Sequence, residues 1–213
     1  MELVIIGHNE GKHIEQMYGR TFGLKRHWVL DRCTDSSEQK LKDLGETYLK
    51  TDNALVGRQT SYARNLGLKQ CNKKSDVLFL DGDRYPIMGD LRDLEKSETD
   101  ITLLRLEEDF RNNIETQKRY GTVESGFFSC GIFFRRDAIN KIVDFQGSLF
   151  NVDLQTKWGI EDTSLGDVCY HLGLSVSLNE VIRLRGKFEK IYLDDFDTMR
   201  ERFRFREKLN VRW

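Results

Sequence analysis

The chain has 213 residues, 34 Lys and Arg against 35 Asp and Glu, and a formal net charge of −1; 38% of it is apolar and 32% charged. That length suits one domain, or one domain with an appendage. The charge balance excludes a uniformly basic nucleic-acid binder but not a local basic patch, and no apolar run approaches the ~18 residues that span a membrane.

Met1 to Ile6 lacks the basic start of a signal peptide and reads as a first strand, Leu3 to Ile6, closed by Gly7-His8-Asn9-Glu10. Ile14, Met17 and Tyr18 follow at helical spacing. Trp28 to Leu30 is a second strand ending at Asp31. Asp35-x-x-Glu38 resembles a capping box, opening a helix through Leu41 and Leu44 that stops at Gly45. Thr47 to Leu49 reads as a short strand, and Val56 to Leu68 as a helix with Gln59, Ala63 and Leu66 on one face. Val77 to Leu80 is an unbroken apolar run between polar flanks, which predicts a strand buried on both faces. This alternation of strand and helix predicts an α/β fold with a right-handed, mostly parallel central sheet and helices on both sides.

The second half is patterned differently. Ile101 to Leu106 and Ser129 to Phe134 read as strands, separated by the polar run Glu107 to Ser125. Ala138, Ile142 and Val143 mark a short helix. Leu165, Val168, Cys169 and Leu172 give Glu161 to Gly173 the clearest helical periodicity, and a strand, Leu174 to Leu178, follows. The tail from Asp194 is amphipathic, with Phe196, Met199 and Phe203 against many arginines. The expected organisation is a domain over 1–193, divided into halves at 86/87, and a helical tail over 194–213. Cys33, Cys71, Cys130 and Cys169 show no C-x-x-C spacing and read as reduced thiols of a cytoplasmic protein.

The chemistry concentrates where the Val77 strand ends, in Asp81-Gly82-Asp83. Two carboxylates at i and i+2 on extended backbone point the same way. They repel unless a cation sits between them, and a hard divalent ion with its own anionic ligand fits. Strand C-termini are also where open α/β sheets bind ligands. The plainer reading is an acidic turn.

Other strand ends carry matching features. Val4-Ile5-Ile6-Gly7-His8-Asn9-Glu10 resembles the opening strand of family 2 glycosyltransferases of the GT-A fold. Val29-Leu30-Asp31-Arg32-Cys33-Thr34-Asp35-Ser36-Ser37 resembles a variant of that family's second motif, and Ala63-Arg64-Asn65-Leu66-Gly67 its Ala-Arg-Asn-x-Gly helix. Leu80-Asp81-Gly82-Asp83 stands where the family has its metal-binding Asp-x-Asp, and Trp158-Gly159-Ile160-Glu161-Asp162 resembles its Trp-Gly-x-Glu-Asp motif. The five occur in the family's order over residues 3 to 173; the last forty residues have no counterpart.

The resemblance implies a GT-A (Rossmann-like) fold. It implies inverting, Mn²⁺- or Mg²⁺-dependent transfer of a sugar from a nucleoside-diphosphate sugar, UDP-sugar foremost, to an acceptor hydroxyl. On it, residues 1–86 form the nucleotide-sugar half and 87–193 the acceptor half. Asp83 is the implied metal ligand, with Asp81 serving the metal or the ribose. Donor contacts are assigned to His8 (stacking on the base), Asn9, Glu10 and Asp31. Arg58 and Arg64 share a helix within reach of phosphates, and pairing with a carboxylate is the alternative for one of them. Asp162 is the implied base, with Glu161 beside it at a helix N-terminus, and Trp158 the acceptor platform; the plainer readings are helix capping and core packing.

Three departures from the family stand out. Ile6 replaces a frequent proline and Arg32 a frequent acid, and no histidine follows Asp162 in position to complete a metal site, His171 reading as a helix-face residue. The acceptor is expected to be a glycan, with an anionic, lipid-linked or nucleic-acid (DNA) acceptor as alternatives. Arg183, Arg185, Lys187 and Lys190 with the arginine-rich tail suggest a phosphate-tracking surface, against the plainer reading of a solvated helix with internal ion pairs. A nucleotidyltransferase and a noncatalytic nucleotide-sugar-binding module are the competing functions. The first needs a Gly- and Lys-rich phosphate loop, of which Gly7 to Lys12 is a poor version, and the second is opposed by the intact Asp81, Asp83 and Asp162. The sequence leaves oligomeric state open.

Overall fold

The structure is a computed structural model that describes residues 1–51, 60–107, 131–152 and 160–185. Its strands are β1 (Glu2–Gly7), β2 (Lys25–Leu30), β3 (Tyr48–Lys50), β4 (Val77–Asp81), β5 (Pro86–Met88), β6 (Ile101–Leu106), β7 (Gly131–Phe134) and β8 (Val176–Leu184). The helices are α1 (Ile14–Arg20), α2 (Ser37–Asp43), α3 (Thr60–Leu68), α4 (Arg136–Gln146) and α5 (Ile160–His171), with a 3-10 helix at Leu91–Lys96.

All eight strands join one sheet in the order β3-β2-β1-β4-β7-β6-β8-β5. The first four run parallel, as the strand–helix alternation predicts. Beyond β4 the sheet is mixed. β7 is antiparallel to both β4 and β6, β8 is parallel to β6, and β5 is antiparallel to β8. Two reversals restore the original direction, so β6 and β8 end on the same edge as β1 to β4. That edge therefore gathers strand C-termini from both halves of the chain.

Period-two alternation divides the core between the two faces. Val4 of β1 and Val77 and Phe79 of β4 pack with Ala138, Ile139 and Ile142 of α4 and Leu165, Val168 and Cys169 of α5. Leu3 and Ile5, with Leu78 and Leu80, pack against Ile14 and Met17 of α1 and Leu41 of α2. Val77 to Leu80 are all buried, the outcome expected of an apolar run with both faces covered. Phe79, Phe134 and Phe150 meet edge to face with centroids 5.0 to 6.3 Å apart, a favoured aromatic arrangement.

Helix α3 lies so close to the sheet that a Cβ at Gly67 would fall 2.3 Å from Val4 Cγ1 and 3.2 Å from Val29 Cγ2. Its buried face is Ser61, Ala63, Arg64 and Gly67, with Leu66 only half-buried. The helix expected from Val56 is described only from Thr60.

Several local expectations change. The capping box does not form. Asp35 Oδ1 instead accepts from the Ser37 N–H at 2.9 Å, while Glu38 accepts from Tyr48 Oη at 2.7 Å and pairs with Lys42 and Lys50. The helix stop does form: Gly45 has φ +69° and donates to the Lys42 carbonyl at 3.0 Å. The strand expected over Leu174 to Leu178 runs to Leu184, held between β6 and β5. Strand β5 and the 3-10 helix have no periodic signal. Cys33, Cys71 and Cys169 are free thiols. Among the described residues no helix is long and apolar enough to cross a membrane. The polar stretch after Glu107, Cys130 and the tail lie outside the described residues.

Candidate functional site

The carboxyl edge is stitched together by backbone. Gly82 N donates to the Ile6 carbonyl at 2.7 Å and Asp31 N to the Gly7 carbonyl at 2.8 Å, so β1, β2 and β4 end in one ridge. The loop after β1 folds over it. A Cβ at Gly82 would meet the Ile6 carbonyl at 3.1 Å and Glu10 Cγ at 3.2 Å, so the glycine is what admits Glu10 to this position. Burial pushes the Glu10 carboxyl above its ordinary range, and the neighbouring charge of Asp83, with a smaller part from Asp81, pushes the same way. Asp81, Asp83 and Glu10 thus act on one another electrostatically although they come from two separate loops.

Two arginines counter part of this charge. Arg64, buried on α3, donates from Nη2 to Asp81 Oδ1 at 3.0 Å, and its guanidinium lies 5.3 Å from the centre of the Phe150 ring. Of the two roles open to Arg64, the geometry places it against a carboxylate; Arg58 lies outside the described residues. Arg84 Nε lies 3.4 Å from Asp83 Oδ1.

Beside the ridge the ends of β1, β2 and β3 bring together a second set of polar groups. Asp31 accepts from Arg32 Nε at 2.9 Å and Nη2 at 3.1 Å and from Thr51 Oγ1 at 2.7 Å. Burial works upward on the Asp31 carboxyl, but these bonds and the Arg32 charge outweigh it and hold it below its ordinary range. Arg32 has φ +49°, a conformation that turns this residue back onto its neighbour. The exposed His8 ring has Nδ1 2.6 Å from the Asp31 carbonyl oxygen. Asn9, at φ +61°, accepts through Oδ1 from Thr34 N at 2.7 Å and Asp35 N at 3.2 Å. Asn9 therefore shapes the loop, and His8 is the side chain left on its open side.

A third group at this edge joins Arg185, which the sequence places on a basic surface, to residues that the sequence does not single out. Arg185 follows β8 and donates its backbone N–H to the Tyr85 carbonyl at 2.8 Å. Its guanidinium lies 5.7 Å from the Tyr85 ring centre, with Nη1 3.3 Å from Nε2 of the buried His13. Burial lowers the pKa of His13, and the charges of Arg185 and Lys12 lower it further. Nothing local in the sequence marks His13, Tyr85 or Arg84; their meeting with Arg185 depends on β8 pairing with β5.

Glu161 and Asp162 fall in the first turn of α5, where only the backbone is described, and Trp158 lies outside the described residues. His171 packs against Phe145 with tilted rings whose centres are 5.0 Å apart, in keeping with a helix-face role. Among the described residues the one group with ligand atoms clustered within 4.8 Å is Glu2, His27 and Cys71, at the opposite edge of the sheet. There Glu2 is already satisfied by His27 Nε2 at 2.6 Å, Lys25 Nζ at 3.1 Å, Ser75 Oγ at 3.0 Å and Asn72 N at 3.2 Å.

No family model and no curated protein matches this chain. Solved structures do. The whole chain superposes on 67% of a crystal structure of S. aureus TarS residues 1–349, with a TM-score of 0.67 and 17% identity. It also superposes on 81% of glucosyl-3-phosphoglycerate synthase from Mycobacterium tuberculosis in complex with Mn²⁺, UDP and glucosyl-3-phosphoglycerate (TM-score 0.59, 14% identity). With the same enzyme holding Mg²⁺ and UDP, the TM-score is 0.62 at 12% identity over 80% of that chain. These similarities show the fold: a curled, mixed α/β sheet flanked by helices, as in GT-A glycosyltransferases of family 2.

Proposed function

We propose that this protein is a metal-dependent glycosyltransferase that moves a sugar from a nucleoside-diphosphate sugar, UDP-sugar foremost, to an acceptor hydroxyl on a glycan. The observation that carries the reading is the acidic ridge of Asp81, Asp83 and Glu10 beside the His8–Asp31 contact, on a fold shared with a UDP- and Mn²⁺-binding synthase. Residues 1–86 then form the donor half, 87–193 the acceptor half and 194–213 an appended tail.

The donor set fits a hard divalent ion. Its side chains are carboxylates; burial raises the Glu10 pKa first, and the charges of Asp83 and Asp81 raise it further, a repulsion that a cation relieves. Asp83, with Asp81, would hold Mn²⁺ or Mg²⁺, which as a Lewis acid offsets the charge of a leaving diphosphate. Arg64 positions Asp81 from behind. His8 stacks on the base, Asp31 accepts from the nucleoside, and the Asn9–Glu10 loop closes over the diphosphate. Asp162 takes the proton of the acceptor hydroxyl as it attacks the face opposite the leaving group, giving inversion. Glu161 orients that hydroxyl, and Trp158 supports the acceptor ring.

The test is thermal stabilisation by UDP with and without Mn²⁺. A ligand at ~100 times its dissociation constant adds about 2.7 kcal/mol. The expected result is a metal-dependent rise in Tm that Asp83→Asn abolishes. Equal stabilisation of that variant and the parent with metal chelated would refute the metal role, and no response to any nucleotide would refute the transferase reading.

A further inference from the structure

Building on that donor-site reading, we propose that Arg185, supported by Arg84 and Lys12, is a binding site for a phosphate group carried by the acceptor, next to Asp83. The charge pattern of the carboxyl edge points to it. Arg32 is paired with Asp31, Arg64 with Asp81 and Arg84 with Asp83. Arg185 differs: among the described residues it has no carboxylate within ion-pair distance. Its side-chain contacts are Nε2 of His13 at 3.3 Å and the Tyr85 ring face at 5.7 Å.

A guanidinium has donors and no acceptor, so His13 Nε2 must present its lone pair to Arg185 and the imidazole is neutral. The partner orients the cation without cancelling its charge. Arg185 is half-buried, its backbone is anchored to the Tyr85 carbonyl, and its planar fork is thereby held in place. A preorganised guanidinium matches two oxygens of a phosphate. The exposed Lys12 acts on the charge of His13 in the same sense as Arg185, Asp83 acts in the opposite sense and Arg84 offsets part of that, so Arg185 and Lys12 are the leading cations of this corner.

The location favours the acceptor over the donor. In the sheet order, β8 and β5 stand at the end opposite β3 and β2, whose carboxyl ends carry Asp31 and Thr51 of the proposed nucleoside site. The acidic ridge lies between these ends. A donor held at His8 and Asp31 with its diphosphate at Asp83 leaves Arg185 on the ridge's far flank, where an incoming acceptor approaches.

The experiment titrates inorganic phosphate into the full chain saturated with UDP and Mn²⁺, by calorimetry, for the parent, Arg185→Gln and Arg185→Lys. Expected is a phosphate affinity that falls roughly tenfold or more in Arg185→Gln, recovers partly in Arg185→Lys, and leaves the UDP dissociation constant within about twofold. A parent that binds no phosphate in this state overturns the proposal. So does equal phosphate binding by parent and Arg185→Gln, or a loss of UDP affinity with phosphate binding unchanged, which would assign Arg185 to the donor. The same titration without nucleotide separates the two readings. A parent that fails to bind UDP but keeps Arg185-dependent phosphate binding sinks the transferase reading and leaves the anion site standing.

Discussion

Arg64→Met asks whether the buried arginine touches the donor or only sets Asp81 in place. The substitution keeps an unbranched side chain in a position that is 2% exposed and removes the Nη2–Oδ1 contact at 3.0 Å, together with the guanidinium near the Phe150 ring. Breaking a buried ion pair by deleting one partner costs about 3–5 kcal/mol. The Asp81 side chain is 32% exposed and recovers some hydration, which places the cost at the low end, about 3 kcal/mol. With an unfolding entropy of about 2.1 cal/mol/K per residue, that lowers Tm by about 7 °C. For binding, UDP and Mn²⁺ titrations of Arg64→Met, Asp81→Asn and the double variant form a cycle. If Arg64 acts through Asp81, each single change weakens UDP by about tenfold and the double variant is no worse than the weaker single. Additive losses in the double variant would show an independent phosphate contact by Arg64. Unchanged UDP affinity in Asp81→Asn would remove Asp81 from the donor site altogether.

Two other predictions concern opposite edges of the sheet. At Glu2, burial works upward, but hydrogen bonds from His27, Lys25, Ser75 and the Asn72 N–H prevail and hold the carboxyl at about 2, against 4.5 for the free group. A depressed carboxylate contributes stability above its unfolded pKa and loses it as pH falls through the folded value. About 3 kcal/mol should therefore disappear between roughly pH 5 and pH 2. Glu2→Gln should lower Tm at neutral pH and flatten its fall with acid, and a parent-like acid slope in that variant would show that Glu2 is not the group responsible. At the proposed acceptor side, Asp162→Asn should bind UDP and Mn²⁺ normally while transfer falls by on the order of 10²–10⁴; near-normal transfer would move the base elsewhere, with Glu161 next to be tested.

The features legible in the sequence are those whose cause is local. Val77 to Leu80 reads as a strand covered on both faces and is one, and Leu3, Val4 and Ile5 alternate between the two cores because side chains on a strand alternate. Asp31, Asp81 and Asp83 are visible because they sit where apolar strands stop. Gly67 can be read only as a motif residue until the 2.3 Å that would separate an added Cβ from Val4 Cγ1 shows why a larger side chain is refused. Asp35-x-x-Glu38 satisfies a local capping rule, but Asp35 divides itself between the Ser37 and Gly11 N–H groups and Glu38 is drawn to Tyr48, Lys42 and Lys50, so partners outside the box, Gly11, Tyr48 and Lys50 among them from other elements, override it. The choice between phosphate and carboxylate for Arg64 was likewise undecidable from spacing, because it depends on α3 resting across β1 with its side chain turned toward the end of β4. Three-residue β5 carries too little pattern to be read, yet its pairing with β8 sets Arg185 against Tyr85 and His13, 100 and 172 positions away along the chain. The sequence by itself determined the parallel first half, the two-faced core and the carboxylates at the strand ends, since each follows from the periodicity and turn chemistry of neighbouring residues. Only the tertiary structure decided the reversals after β4, and through them that Arg185 faces the His13 imidazole; it decided separately, through the seating of α3, that Arg64 pairs with Asp81, because those contacts join segments that have no local reason to meet.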